Sequence, residues 1–160
     1  MSVNRELAHI LVLPEDDANR QLANGFVLNI ATAQIQVLRE VGGWARVRDR
    51  FASDHVDSMR KYPGRYMVLL IDFDGYIQRL QEMKAVIPQD LANRVFIFGA
   101  RSEPEDLKRA RLGTYETIGK AMAEDCRNGT QEMWAHNLLE HNQGELARMR
   151  NAACGILFGA

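Results

Sequence analysis

The most apolar run in the chain is residues 66–71 (YMVLLI), and it stops abruptly at residues 72–75 (DFDG). A short, continuous apolar run is typical of a strand that is buried on both faces of a parallel sheet. Residues 8–13 (AHILVL) have the same character and are followed by Pro14 and Glu15. Because two strands of this kind need helices on both sides to cover them, we predict an α/β fold.

Strand-like and helix-like segments alternate along the first two thirds of the chain. After the first strand, Leu22, Phe26 and Ile30 recur at helical spacing, with Asp16 or Asp17 available as an N-cap. The alternation predicts at least four mainly parallel strands, with residues 66–71 central and helices on both faces. The predicted elements are a helix over residues 17–30, a strand over 34–41, a helix from Trp44 that is closed by residues 62–64, a helix over 77–86, a strand over 94–98 and an acidic loop over 102–106.

The whole chain of 160 residues is predicted to be a single domain. Its α/β core spans about residues 1–112, and a helical extension covers about residues 113–160, broken at Gly129. The hydrophobic fraction of 46% and the charged fraction of 26% are those of a globular protein, so neither disorder nor a fibrous architecture is indicated.

Charge and cysteine content narrow the function classes. The net charge of −1 excludes a protein that coats nucleic acid through general basic character, so any nucleic-acid contact must come from a local patch. Cys126 and Cys154 have no CxxC spacing, which favours reduced thiols with structural roles in a cytosol over a zinc site. The N-terminus is unlike a signal peptide, and no stretch approaches the roughly 20 apolar residues that span a bilayer. We therefore expect a cytoplasmic protein without membrane contact.

Acidic residues follow three of the predicted strands. Glu15 follows the first, Asp72 and Asp74 follow the strand at 66–71, and Glu103 and Glu105 follow the strand at 94–98. The carboxyl ends of parallel strands form a crevice where ligands bind, so topology is expected to bring these groups together. Carboxylates in such proximity repel one another unless a cation neutralises them. A hard divalent ion with oxygen ligands, Mg²⁺ or Mn²⁺, is the expected occupant.

Helix capping is the alternative explanation for these acids. Asp16 and Asp17 fit that role as well as they fit a metal site, because carboxylates are favourable at helix N-termini. The pair Asp72 and Asp74 is harder to explain by capping. Alternate carboxylates point to the same side of an extended chain, and Gly75 lets the backbone turn away sharply.

The order of these motifs resembles the TOPRIM domain, which topoisomerases, bacterial primases, recombination proteins and OLD-family nucleases share. An apolar strand ends in Glu15, a second ends in Gly42 and Gly43, and a third ends in Asp72-x-Asp74; the resemblance covers about the first 110 residues. It implies that the glutamate acts as general acid/base or metal ligand and that the two aspartates bind Mg²⁺. It also implies that Glu103 and Glu105 correspond to the further acidic region of OLD-like members.

One position departs from the family pattern. Asp16 stands where members usually have Gly, which changes the turn expected after Glu15.

The chain also offers neither the tyrosine-bearing cleavage domain of a topoisomerase nor the zinc ribbon of a primase. The resemblance therefore implies a small stand-alone nuclease or nuclease subunit that acts on nucleic acid, with DNA favoured over RNA. Because the sequence has no GxxxxGK[ST] loop, an ATPase partner would be a separate chain.

Two other functions are left open by the sequence. The run LVLPEDDANRQ also resembles the start of a response-regulator receiver, but no strand with a terminal Lys follows Phe98. A non-catalytic module that binds metal or nucleotide for a partner would use the same acidic pocket. Basic residues that follow the Gly-Gly turn or surround the acidic loop are candidates for a local phosphate-binding rim, although solvated helix faces explain them equally well. They are Arg46, Arg48 and Arg50 after the turn, and Arg101, Lys108, Arg109 and Arg111 around the loop.

Overall fold

The computed structural model describes residues 3–28 and 30–159, and at its centre is a sheet of four parallel strands. The strands are β1 (His9–Pro14), β2 (Ile35–Val37), β3 (Arg65–Leu70) and β4 (Val95–Phe98), in the order β2-β1-β3-β4. β1 and β3 are the inner strands, and Ile10 lies opposite Ile35 on one side and Tyr66 on the other. The predicted α/β fold with a central strand near residues 66–71 is confirmed.

Alternate side chains of each inner strand enter two separate cores, because successive residues of a strand point to opposite faces. From β1, Ile10 and Val12 face one core, while Leu11 and Leu13 face the other. The two outer layers of helices bury these faces, which explains why the strands read as continuous apolar runs.

Helices from the middle of the chain cover one face of the sheet. Their buried contacts come from Val47, Phe51, Met59 and Met83, each 0% exposed. The elements are α2 (Trp44–Arg50), a π-helical turn (Phe51–His55), α3 (Val56–Lys61) and α4 (Arg79–Lys84), followed by a 3₁₀ helix (Gln89–Arg94).

The other face is covered by the first helix and by the last three. These are α1 (Asp17–Val27), α5 (Pro104–Arg109), α6 (Tyr115–Asn128) and α7 (Gln143–Phe158), with a 3₁₀ helix (Glu140–Asn142) before α7. Leu22, Ile118 and Leu146 are among the buried residues of this core. The predicted C-terminal helical extension therefore forms half of one helical layer, packed directly on the sheet.

Glycines allow α1 and α6 to touch through their backbones. A Cβ atom on Gly25 would lie 2.3 Å from the Glu116 carbonyl oxygen, and one on Gly119 would lie 2.0 Å from the Leu22 carbonyl oxygen. Neither position has room for a methyl group, so the two helices are held closer than side chains would permit.

Several predicted boundaries were wrong. β2 is three residues long rather than eight, and α4 begins two residues later than predicted and ends two earlier. Glu105 and Asp106 lie in the first turn of α5 instead of a loop, because Pro104 at the first helical position starts the helix. Gly129 does end α6, in the left-handed conformation that glycine favours. The predicted first helix ends at Val27, and Leu28 and Ile30 are not helical. Asn29 lies outside the described residues, as do residues 1, 2 and 160.

Within the ranges 3–28 and 30–159, no helix is both long enough and apolar enough to cross a membrane.

Candidate active site at the ends of β1 and β3

Glu15 is held by backbone hydrogen bonds on both sides. Its N–H donates to the Leu70 carbonyl at 2.8 Å, and its carbonyl accepts from the N–H groups of Gly42 (2.7 Å) and Gly43 (3.2 Å). Gly42 and Gly43 have φ angles of 91° and 150°, which glycine adopts without strain. The Gly-Gly turn after β2 thus fixes the backbone of Glu15, whose side chain is only 8% exposed.

The Glu15 side chain reaches the end of the neighbouring strand β3. Its Oε2 accepts a hydrogen bond of 2.6 Å from the backbone N–H of Asp72, which lies 57 residues away in sequence. Asp72 is also 8% exposed. Parallel pairing of β1 and β3 brings both residues to the same edge of the sheet, as the sequence predicted.

Asn19 connects this pair to α1. Its Nδ2 donates to Asp72 Oδ1 at 2.7 Å and to Asp16 Oδ1 at 2.9 Å. Asp16 is the N-cap of α1, because the same carboxylate oxygen also accepts from the Asn19 backbone N–H at 2.9 Å. The capping interpretation of Asp16 is therefore correct, and the cap also orients the amide that holds Asp72.

Burial and mutual repulsion raise the pKa values of both inner carboxyls. Burial raises the pKa of Asp72 to about 8, against an opposing hydrogen bond from Asn19 and with help from the charges of Glu15, Asp16 and Asp74. The pKa of Glu15 is raised by burial and by the charges of Asp16 and Asp74, while the Asp72 N–H and Arg79 oppose the shift. The site therefore holds more negative charge than its own hydrogen bonds neutralise.

Asp74 lies at the rim of the site. Its φ of 49° shows that the chain is no longer extended there, so Asp72 and Asp74 are not alternate residues of one strand end as predicted. Asp74 Oδ2 accepts a hydrogen bond of 2.8 Å from Arg79, whose same nitrogen donates to the Asp72 carbonyl at 2.7 Å. The Asp74 side chain is 47% exposed and that of Arg79 only 11%, so a largely buried guanidinium holds an exposed carboxylate.

Glu103 and Glu105 are placed differently from the other predicted ligands. Glu103 is the N-cap residue of α5 without a side-chain capping bond, and its carboxylate contacts Arg109 at 3.4 Å. Burial raises the pKa of Tyr115, and the charges of Glu105, Asp16 and Asp72 raise it further. Tyr115, at the start of α6, therefore lies within electrostatic reach of Glu105 and of Asp72.

The donor set fits a hard divalent cation in part. In the described part of the chain, no three His, Cys, Asp or Glu side chains are arranged as a ready-made metal site, and Asp74 is paired with Arg79. The Glu15 and Asp72 carboxylates nevertheless supply buried, incompletely neutralised oxygens. In addition, Asn19 Oδ1 is buried and accepts no hydrogen bond from any described residue. All of these are the oxygen ligands that Mg²⁺ and Mn²⁺ take.

Aromatic and basic side chains form one rim of the acidic pair. Trp44 is the first residue of α2, and two guanidinium groups lie over its ring. The guanidinium carbon of Arg79 is 4.6 Å from the ring centroid, and that of Arg48 is 5.3 Å from it. Tyr76 follows Asp74 in the loop and is 56% exposed, with Arg79 5.8 Å from its ring centroid. We call Trp44, Arg48, Tyr76 and Arg79 the stacking rim. Of the basic residues singled out in sequence, Arg48 lies in this rim.

Asn19, Tyr115 and Arg79 were missed by the sequence reasoning. Asn19 carries a readable signal, because a polar residue on the apolar face of an amphipathic helix, three residues after its cap, must have a buried partner. Tyr115 and Arg79 carry none, since their relation to the acids depends on how α6 and the loop after β3 fold back.

A buried asparagine fixes the end of β4 beside the site. Asn142 Oδ1 accepts from the Gly99 N–H at 3.2 Å, and its Nδ2 donates to the Gly99 carbonyl at 3.0 Å. Gly99 itself passes so close to β3 that a Cβ atom would lie 1.6 Å from the Ile71 carbonyl oxygen. The loop after β4 is thus held against the loop that carries Asp72.

The chain was compared with known proteins in three ways. A scan against protein-family models, a search of curated proteins and a search of solved structures each found no match.

Proposed function

We propose that this protein holds Mg²⁺ or Mn²⁺ at Glu15, Asp72 and Asp74 and performs phosphodiester chemistry on nucleic acid, with DNA the favoured substrate. The observation that carries the proposal is the buried acidic pair: Glu15 and Asp72 come from two neighbouring strand ends, and Glu15 Oε2 lies 2.6 Å from the backbone nitrogen of Asp72. Buried like charges are unfavourable, and proteins keep them where a cation or a proton transfer uses them.

A divalent cation would relieve the repulsion within the pair. With a pKa of about 8, Asp72 is largely protonated at neutral pH as long as only protons compete for it. A cation stabilises the ionised form, so metal binding is expected to release a proton from the site. Asp74 would complete the ligand set on leaving Arg79, and the partner-less Asn19 Oδ1 offers a further oxygen.

The ion and the protein side chains have separate roles in this proposal. A bound divalent ion supplies Lewis acidity towards a phosphoryl oxygen and stabilises the charge that develops on the leaving oxygen. Glu15, with its raised pKa, positions the attacking water and accepts its proton. Asn19 orients the Asp72 carboxylate, and the Gly42-Gly43 turn keeps Glu15 in place.

The stacking rim is suited to hold the substrate. Arg48 can contact backbone phosphates, and the exposed ring of Tyr76 offers a surface on which a base can stack. The rim adjoins the acidic pair through Arg79, which binds both the Asp72 carbonyl and Asp74. A nucleic-acid strand bound on the rim would therefore pass next to the carboxylates. The rim is the kind of local patch that a protein without general basic charge needs in order to bind nucleic acid.

Cleavage of short single- and double-stranded DNA and RNA in Mg²⁺ or Mn²⁺ tests the proposal. Glu15→Gln is expected to lower the cleavage rate by about 10²–10⁴-fold, the usual value of general acid–base assistance. Asp72→Asn is expected to abolish metal-dependent cleavage. The matched control is Asp57→Asn, which removes an exposed carboxylate on α3 and is expected to leave the rate unchanged.

The outcomes separate an enzyme from a binding module. Asp16→Asn retains a good helix cap, so loss of cleavage in this variant with full activity in Glu15→Gln would move the catalytic acid by one residue. Binding of metal and oligonucleotide without cleavage under any condition would show a non-catalytic module. Equal metal affinity in the wild type and in Asp72→Asn would contradict the metal site itself.

A further inference from the structure

The two cysteines of the chain meet between α6 and α7. Cys126 and Cys154 are the only cysteines in the sequence and are 28 residues apart, yet their sulfur atoms lie 3.5 Å from each other. Both are thiols: Cys126 is buried, and Cys154 is partly exposed at the edge of the same core. The contact joins the two C-terminal helices of one layer and does not involve the acidic pair.

The surroundings of the pair favour a thiolate on Cys126. The hydrogen bond with Cys154 lowers the pKa of Cys126, and the Arg150 guanidinium lowers it further, against the effect of burial. Arg150 lies one turn before Cys154 on α7 and is held by the carbonyls of Asp125 (3.3 Å) and Thr130 (3.1 Å). The same hydrogen bond raises the pKa of Cys154, so Cys126 is the thiol of the pair that loses its proton more readily.

We propose that Cys126 and Cys154 are a redox modification site that forms a reversible intramolecular disulfide with a two-electron oxidant of the peroxide class. Redox-active cysteines combine a cation nearby, access to solvent and an adjacent resolving thiol. In this pair Arg150 lies near Cys126, solvent reaches Cys154, and each sulfur is the neighbour of the other. The sulfur atoms need to approach by about 1.5 Å to reach the length of a disulfide bond.

The reaction balances with peroxide as the only co-reactant. The Cys126 thiol loses its proton, its sulfur attacks one peroxide oxygen, and the O–O bond breaks. The departing hydroxide takes up the released proton, so a sulfenic acid and one water form. The second sulfur then attacks the sulfenic sulfur, and the hydroxyl leaves as a second water with the remaining thiol proton. Two thiols lose two electrons and two protons, and one peroxide becomes two waters.

The disulfide would have a consequence for the whole layer. It would close a loop of 28 residues that contains the turns between α6 and α7, which restricts the unfolded chain more than the folded one. A loop of this length corresponds to a rise in melting temperature on the order of 10 °C for a domain of this size. Dithiothreitol would reverse the rise.

Titration of the purified full-length protein with hydrogen peroxide tests the inference. After quenching, thiols are counted by alkylation in denaturant, and non-reducing electrophoresis and intact mass are recorded. The expected result is loss of both alkylatable thiols in a monomer, with a mass decrease of about 2 Da and a melting temperature raised by about 10 °C. Cys154→Ser, at the partly exposed position, is the matched variant and is expected to show no rise.

Three results would overturn the inference. Both thiols could survive an oxidant dose that oxidises the urea-unfolded protein, which would make the contact a packing contact only. The disulfide could form between two chains and not within one. Cys154→Ser could show the same rise as the wild type. If Cys154→Ser fails to fold, thiol counting and mass on the wild type still decide between these outcomes.

Discussion

Replacing Asp72 by Asn isolates the cost of burying a second carboxylate beside Glu15. The change keeps the size of the side chain and an oxygen that can accept the hydrogen bond from Asn19, and it removes the charge. The variant is therefore expected to fold, and its stability relative to the wild type depends mainly on how unfavourable the Asp72 charge is.

The magnitude follows from the pKa of Asp72. Folding raises the pKa of Asp72 from its usual 3.8 to about 8, so the folded state holds the proton more tightly than the unfolded state. Wild-type stability is therefore unaffected by this group at low pH and falls as pH rises from about 4 towards 8. At 1.36 kcal/mol for each unit, the upper bound of the loss at pH 7 is about 4 kcal/mol. We expect Asp72→Asn to be more stable than the wild type by about 2–4 kcal/mol at pH 7 and by nearly nothing at pH 4.

Urea denaturation between pH 4 and pH 8, in chelator and in millimolar Mn²⁺, measures this difference. Asp57→Asn on α3 is the control and is expected to follow the wild type at every pH. If Mn²⁺ binds, it should recover about 2.7 kcal/mol in the wild type at 100 times its dissociation constant and nothing in the variant. A difference between Asp72→Asn and the wild type that is absent, or that is the same at pH 4 and pH 7, would refute the reasoning from burial.

Three further changes have outcomes that follow from the fold. Gly119→Ala should cost about 1–3 kcal/mol in urea denaturation, because its Cβ would lie 2.0 Å from the Leu22 carbonyl oxygen, whereas Gly155→Ala in α7, with nothing within 4 Å, should be neutral or stabilising; equal effects would show that the helix contact is looser. Asn142→Ala should cost about 2 kcal/mol, because both polar groups of Gly99 lose their buried partner; an unchanged denaturation midpoint would contradict this. His9 is 0% exposed and accepts a hydrogen bond from Arg65 at Nε2, and burial lowers its pKa. Because the unfolded state then binds a proton at His9 more readily than the folded state, the free energy of unfolding should fall as pH drops through about 6.5. An NMR titration of His9 with a midpoint near 6.5 would contradict this.

The sheet could be predicted from the sequence because each inner strand is buried on both faces. Beyond His9 and Arg65 at their first positions, the runs at β1 and β3 hold no charged residue, which is typical of strands in a parallel sheet covered on both faces. The length of β2 was overestimated because this strand lies at the edge of the sheet and is only half buried. It is an edge strand of three half-buried residues, and alternation continues past Val37 although the ladder has ended.

The inner part of the site was equally predictable, and its outer part was not. Glu15 and Asp72 follow adjacent strands, so topology alone brings them together. The position of the Asp74 carboxylate depends on a left-handed backbone angle and on an ion pair with Arg79, and the pattern Asp-x-Asp predicts neither. The positions of Glu103 and Glu105 depend on where α5 begins, and Pro104 sets that start.

The backbone contact between α1 and α6 determines how a ligand could enter the site. Contact at Gly25 and Gly119 makes the two helices one rigid unit, so Asn19 near the start of α1 and Tyr115 at the start of α6 must move together. That wall of the site is consequently fixed relative to the sheet. The opposite wall is formed by the loop between β3 and α4, which Arg79 and backbone hydrogen bonds to Arg101 and Ser102 hold in place. Asp74 and Tyr76 are about half exposed there, so entry to the acidic pair is expected from the side of this loop.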